Sequence, residues 1–289
     1  MRRTTSALAL GLAILTFAPV AFATDVAFSE FPEAADKPVV IQLAGVWNSF
    51  DTQARLDVTR GGVASIGATL DLETLFNVPT TQVDFRGDGS WRFSKRNYID
   101  FGYSALNRSG TRAIDADVVW NGYTYKAGAT VDGKFDNTYF YLGWHYDIFR
   151  ADNVKVYAGL SIAYEHFQTG LNGQAQITNP DGTITKGVVL NDFSVGLPAP
   201  LIVLGVSGAI SNHWTFDFYT RAIGFSSTDL AGSIFEGGLS FGWYPTKNFG
   251  VVGGADFSKF SLRKYKNDNQ TISASYFYSG PRLGLVVGF

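Results

Sequence analysis

The sequence contains no cysteine and only three histidines, His145, His166 and His213. Without cysteine there is no disulfide framework, no thiolate metal site and no cysteine nucleophile. The histidines are too scattered to make a ligand cluster, so neither a metal nor any other cofactor is expected. Charge is sparse as well. Asp, Glu, Lys and Arg make up 17% of the chain, the net charge is −2, and no basic patch suggests nucleic acid. Past the N-terminus, no stretch reaches the ~18 uninterrupted apolar residues of a membrane helix. The nearest, residues 195–210, carries Pro198, Pro200 and three glycines, which makes a poor helix. It reads as a strand that must bulge or lose ladder bonds at its prolines.

The chain is rich in aromatics, 15% of residues, and in glycine. Its first residues form a leader. Arg2 and Arg3 precede an apolar run over 7–17, and Ala21-Phe22-Ala23 fits the small-x-small cleavage pattern. Residues 1–23 are therefore expected to be a secretory signal peptide, and 24–289 a single β-barrel domain. Loss of Arg2 and Arg3 would take the net charge from −2 to about −4.

From Pro38 onward the sequence alternates with a period of two, the signature of strands. Val83, Phe85, Trp91 and Phe93 share one face of a segment whose other face carries Asp84, Arg86, Asp88 and Arg92. Very short polar turns at 94–97, 150–153, 211–213 and 246–248 alternate with long polar connections. That asymmetry is the pattern of an outer-membrane barrel, with short periplasmic turns and long outer loops. The resulting fold is all-β: a closed antiparallel transmembrane barrel of ten strands, with eight as the alternative. The strands fall near 39–49, 80–94, 97–108, 135–149, 153–168, 188–210, 213–226, 231–245, 248–262 and 271–289. The first is the weakest, because its alternation is loose.

The same register directs Asp84, Arg86, Asp88, Arg92, Asp100, Asp147, Lys155, Glu165, Asp217, Arg221, Glu236, Asp256 and Arg282 into the lumen. A narrow barrel holds such charges only if they find partners. Trp91, Trp144, Trp214 and Trp243 sit on the apolar face close to short turns, where an interfacial girdle belongs. In the long connections, Asn121-Gly122 marks a hairpin over 118–125, and Pro180-Asp181-Gly182 a second one over 174–189. Leu70, Leu72, Leu75, Phe76 and Val78 suggest a short amphipathic turn of helix packed in the first loop, with a lid over the pore as the alternative.

The final stretch, SYFYSGPRLGLVVGF, places Leu285, Val287 and Phe289 on one face. It resembles the last strand of Gram-negative outer-membrane barrels, which the assembly machinery reads. GDGSWRFSKRNYIDFGYSALNRSGTR (87–112) and YKAGATVDGKFDNTYFYLGWHYDIFRADNVKVYAGLSIAYEHF (125–167) likewise resemble proteobacterial outer-membrane barrels, the broad group that includes OmpW-like and surface-antigen barrels. The resemblance implies residence in the cell outer membrane, contact with its lipid and lipopolysaccharide, and assembly by the barrel machinery. OmpW-like barrels are associated with small hydrophobic solutes, but no site motif allows a residue to be carried over. The function expected is that of a structural or passive small-solute barrel without catalytic turnover. The alternative is a surface adhesin or antigen acting through its loops. A lipid-modifying hydrolase centred on His166 is a third reading. It is weakened because Glu165 and His166, adjacent on a strand, point to opposite faces.

Overall fold

The computed structural model describes residues 30–60, 63–65, 69–120, 123–178, 184–227, 230–267 and 270–289; the expected signal peptide lies outside them. In chain order, its strands are β1 (Val39–Arg60), β2 (Val63–Ser65), β3 (Leu70–Asp71), β4 (Thr81–Arg92), β5 (Asn97–Ala113), β6 (Val118–Trp120), β7 (Tyr123–Tyr125), β8 (Thr130–Arg150), β9 (Val154–Thr178), β10 (Ile184–Ser211), β11 (Trp214–Ser226), β12 (Leu230–Trp243), β13 (Phe249–Asn267) and β14 (Gln270–Gly288). A short helix, α1 (Leu72–Phe76), lies in the first long connection, and a 3-10 turn (Glu33–Asp36) precedes β1.

Ten of these strands, β1, β4, β5 and β8–β14, pair antiparallel in chain order and close on themselves. The closing seam joins β1 to β14, from Val40 opposite Gly288 to Val58 opposite Gln270. Val39 and Phe289 exchange backbone hydrogen bonds of 2.8 and 3.3 Å at its end. β1, the weakest strand in the sequence pattern, is thus paired on both sides, which makes the barrel ten-stranded rather than eight.

Alternation drives this arrangement. Along β8, buried and exposed residues follow each other almost without interruption from Thr130 to Ile148. The outward set is large and apolar: Leu43, Phe85, Leu160, Ile162, Ile202 and Leu285 are each more than half exposed. The inward set includes Asp84, Glu165, Arg221 and Arg282, all buried. A sheet that shows apolar side chains outward and encloses ions is built for a lipid surround.

The strands run further toward the long-loop end than the alternation suggested. β9 and β10 pair from Val154 opposite Gly208 to Thr178 opposite Ile184. At ~9–11 residues per crossing they stand well clear of a bilayer. The expected hairpins are part of this extension. β6 pairs with β7, and β7 adds to β9 through Thr124 opposite Gln176; the tight turns themselves lie outside the described residues. Pro198 and Pro200 cause no bulge: the β9–β10 register is continuous through both. The β10–β11 ladder begins only at Ile202, so a missing N–H at either proline loses no β11 partner.

α1 is a plug rather than a loose lid. Asp71 caps it by accepting from the Thr74 amide at 2.8 Å, and Asn77 ends it in the left-handed conformation. Leu72 and Phe76 are fully buried. The seat is a cross-strand glycine pair, Gly110 of β5 opposite Gly133 of β8. A Cβ on Gly133 would lie 2.5 Å from Phe76 Cβ, and one on Gly110 would lie 2.3 Å from the Asn77 carbonyl oxygen. Only hydrogen leaves room for the helix to dock there.

Candidate functional site: the lumen

Inward side chains divide the lumen into levels. At the short-turn mouth, Asp36 of the 3-10 turn joins two arginines at the ends of different strands. Its Oδ1 accepts from Arg92 at 2.7 Å and from Arg150 at 2.8 Å, and Arg92 also donates to its carbonyl at 2.6 Å. Burial alone would raise the Asp36 pKa, but hydrogen bonds and charge from Arg150 and Arg92 hold it below the ordinary carboxylate value. Arg150 also donates to Asp147 at 3.0 Å and to the Tyr98 hydroxyl at 2.5 Å.

Just inside this latch, His145 Nδ1 meets Asp100 at 2.5 Å. The imidazole is stacked between Tyr98 and Tyr157, with ring centroids 4.5 and 4.6 Å away. Asp217 accepts from Ser207 and, at 3.4 Å, from Tyr157. At mid-barrel, Arg86 pairs with Asp88 at 2.9 Å and Arg282 with Asp256 at 3.2 Å. Tyr141 donates to Asp88 and Tyr139 to Glu236, each at 2.8 Å. Arg221 lies over the Tyr141 ring at 3.8 Å, with its nearest carboxylate, Glu236, also 3.8 Å away. One level on, Asn48 donates to Asp84 at 2.8 Å, while Glu165 accepts from Asn137 at 2.7 Å and from Tyr276.

Toward the long loops the interior turns apolar. Phe135, Phe167, Phe260 and Tyr276, from four strands, pack with centroid separations of 5.3 to 6.5 Å. Phe50 and Tyr278 continue this plate at 6.0 Å. Above it lies Arg108, whose side chain is wholly inaccessible. Its Nη1 donates to Glu73 of α1 at 2.6 Å and to the Pro79 carbonyl at 3.1 Å; Nη2 donates to Thr52 at 2.5 Å. The guanidinium sits 4.1 Å from the Phe50 ring and 5.0 Å from that of Phe135.

Of the lumen residues expected from alternation, Asp84, Glu165, Glu236 and Asp256 are buried inside, Arg86, Asp88, Asp100, Asp147, Lys155, Asp217, Arg221 and Arg282 line the inner cavity, and Arg92 lies at the mouth against Asp36. Alternation alone could not name their partners. Those are chiefly tyrosine hydroxyls and asparagine amides, several of them on strands that are not neighbours, as with Tyr139 of β8 and Glu236 of β12 or Tyr276 of β14 and Glu165 of β9. Asp36 and Arg150 escaped notice because they lie in a lead-in and a turn. Arg108 was missed because it falls at the last residue assigned to its strand. Trp91, Trp144, Trp214 and Trp243 are exposed on the outer face near the short turns, and the Trp214 and Trp243 rings lie 6.4 Å apart. Leu285 and Phe289 also face outward, beside a partly exposed Val287. His213 is exposed in its turn. His166 stacks beside Tyr164 at 6.4 Å, while Glu165 is buried, so the two do point to opposite faces. Among the described residues, no group of His, Asp or Glu could hold a metal ion.

A closed ten-stranded antiparallel barrel with an apolar exterior and an ionic interior defines the class: the chain has the architecture of an outer-membrane β-barrel. No protein-family profile and no curated protein sequence matches the chain. Solved barrels do match in structure. Outer membrane protease OmpT from Escherichia coli is 12% identical, over 87% of this chain and 97% of its own, with a TM-score of 0.48. OprG from Pseudomonas aeruginosa is 11% identical over 88% and 97%, with a TM-score of 0.36. Ail, the attachment invasion locus protein of Yersinia pestis, is 12% identical over 84% and 98%, with a TM-score of 0.28.

Proposed function

We propose that the chain is a structural barrel of the cell outer membrane, without catalytic turnover, whose lumen is shut to through-flow. The observation that carries this reading is the double closure: the plate from Phe135 to Tyr278 with α1 on one side, and the Asp36 latch on the other. Between them, the carboxylates of Asp88, Asp100, Glu165, Asp217 and Glu236 are each met by a neighbour, so transport would require breaking several buried contacts at once. The short turns face the periplasm and the long loops the outside, with the four tryptophans at the inner lipid boundary. Outer-membrane lipid and lipopolysaccharide are the partners its apolar belt implies. Against catalysis, His145 is covered on both ring faces, and no serine or threonine among the described residues bonds to it. In planar bilayers the purified protein should leave the membrane sealed. Reproducible conductance steps of uniform size would overturn the reading in favour of a passive solute channel.

The joining of β7 to β9 favours a second role on top of this scaffold. It makes the two loop hairpins one continuous sheet above the membrane, suited to surface attachment. Deleting residues 174–187 would then abolish attachment of expressing bacteria to epithelial cells while the barrel still folds; unchanged attachment would count against it.

A further inference from the structure

Between the Asp36 latch and mid-barrel the lumen holds a cavity of about 220 Å³. Its carboxylates are already answered. Asp88 has Arg86 and Tyr141, Asp100 has His145, Asp147 has Arg150, and Asp217 has Ser207 and Tyr157. Of its cations, Arg86 and Arg282 are paired with Asp88 and Asp256, but Lys155 and the edge of Arg221 are not met in the same way. Lys155 lines the cavity with its Nζ 4.6 Å from the Phe31 ring and 5.4 Å from that of Tyr98, and no carboxylate of the described residues pairs with it.

Arg221 is the sharper case. It is 7% exposed, and Tyr141 and Tyr219 hold its guanidinium at 3.8 and 4.9 Å from their ring centroids. Stacking fixes the plane and leaves the edge donors to find acceptors. Here neither Nε nor Nη1 makes a hydrogen bond, Nη1 lying 3.8 Å from the Glu236 carboxylate, and Nε of the neighbouring Arg282 makes none either. Buried guanidinium donors rarely go unmet, and a stacked guanidinium edge matches the paired oxygens of an oxyanion.

We propose that this cavity is a binding site for a small oxyanion, a free phosphate or a short carboxylate, held by Arg221 and Lys155. At about 30 Å³ per water, the space takes roughly seven waters or one such anion. The aromatic plate closes the other side, so the ligand enters from the short-turn end and goes no further. The site is a receptor pocket in a closed barrel. It does not depend on conductance, so a leaking barrel would overturn the functional reading and leave this one standing.

The test is calorimetric titration of the full-length protein in detergent, with inorganic phosphate and, separately, acetate, at ionic strength held constant with chloride. Saturable binding of one anion per barrel is expected, weakened at least tenfold in Arg221→Met and in Lys155→Gln, and unchanged in the exposed turn variant Lys95→Met. Heat-modified gel mobility reports whether each variant folds. Should Arg221→Met fail to fold, Arg221→Lys, which keeps the charge but loses the planar edge, must show the same weakening. No saturable binding of either anion overturns the proposal. So does equal affinity in the Arg221 and Lys155 variants, or weakening by Lys95→Met that matches theirs.

Discussion

Arg108 offers the most demanding check on how the long-loop end is held. Its side chain is inaccessible, the carboxylate it meets on Glu73 is 7% exposed, and their bond is 2.6 Å long. Replacing Arg108 with methionine keeps most of the volume but leaves Glu73 with one remaining donor, the Thr52 amide at 2.9 Å. Removing one partner of a buried pair typically costs about 3–5 kcal/mol, because the other charge is stranded. Part of the loss comes from the contacts with Phe50 and Phe135, at about 0.5–2 kcal/mol each. The cheapest response is to undock α1, since that returns Glu73 to water without opening the barrel. At 1.36 kcal/mol per decade, a loss of about 3 kcal/mol raises the undocked population roughly 150-fold. Hydrogen exchange at Thr74 and Leu75 should accelerate by that factor, while β8 and β9 keep their protection. In the double variant Arg108→Met/Glu73→Gln no charge is stranded, so the loss should fall short of the summed single losses by at least about 1.5 kcal/mol. Additive effects, or an Arg108→Met change below about 0.5 kcal/mol, would refute the plug as an ion-locked element.

Two further outcomes test the mouth and the belt. The Asp36 pKa is depressed in the fold, so the latch contributes fully above the ordinary value of 3.8 and is lost as pH falls below it toward the folded value. Protease sensitivity of residues 30–37 should therefore rise below pH 3.8 in the wild type, and Asp36→Asn should show that sensitivity already at neutral pH. Leu160 is 60% exposed on the outer face, so Leu160→Arg should cost about 2–4 kcal/mol if that face meets lipid near the midplane. Urea titration of folding into liposomes measures this, and a change below about 0.5 kcal/mol would place Leu160 outside the hydrocarbon.

Much of the architecture was legible because a period of two survives local accident. One parity placed Asp84, Arg86 and Asp88 inside and Phe85 outside, and the short turns set the strand count. What stayed hidden depends on register between strands. That Tyr276 reaches Glu165, 111 positions earlier, follows from how many residues each hairpin spends in its loops, which alternation does not encode. Strand ends were hidden for a related reason. Polar segments such as 168–178 look like loops when a strand is expected to bury one face in lipid, yet β9 and β10 continue there as a ladder beyond the membrane. Gly110 and Gly133 read as ordinary strand glycines until α1 is seen resting on the pair.

The two ends of the lumen are closed by different chemistry, and that difference bears on what can move. At the long-loop end the closure is mostly apolar. Opening it exposes the rings of Phe135, Phe167 and Phe260 together, at about 1.5–3 kcal/mol apiece, and no change in pH or salt relieves that cost. At the short-turn end the latch is a single carboxylate between two arginines, about a third exposed and therefore open to competition from water and ions. The Asp36 turn should accordingly release under conditions that leave α1 in place. Motion in this barrel belongs to the end beside the cavity of Arg221 and Lys155, while the end facing the loops stays shut.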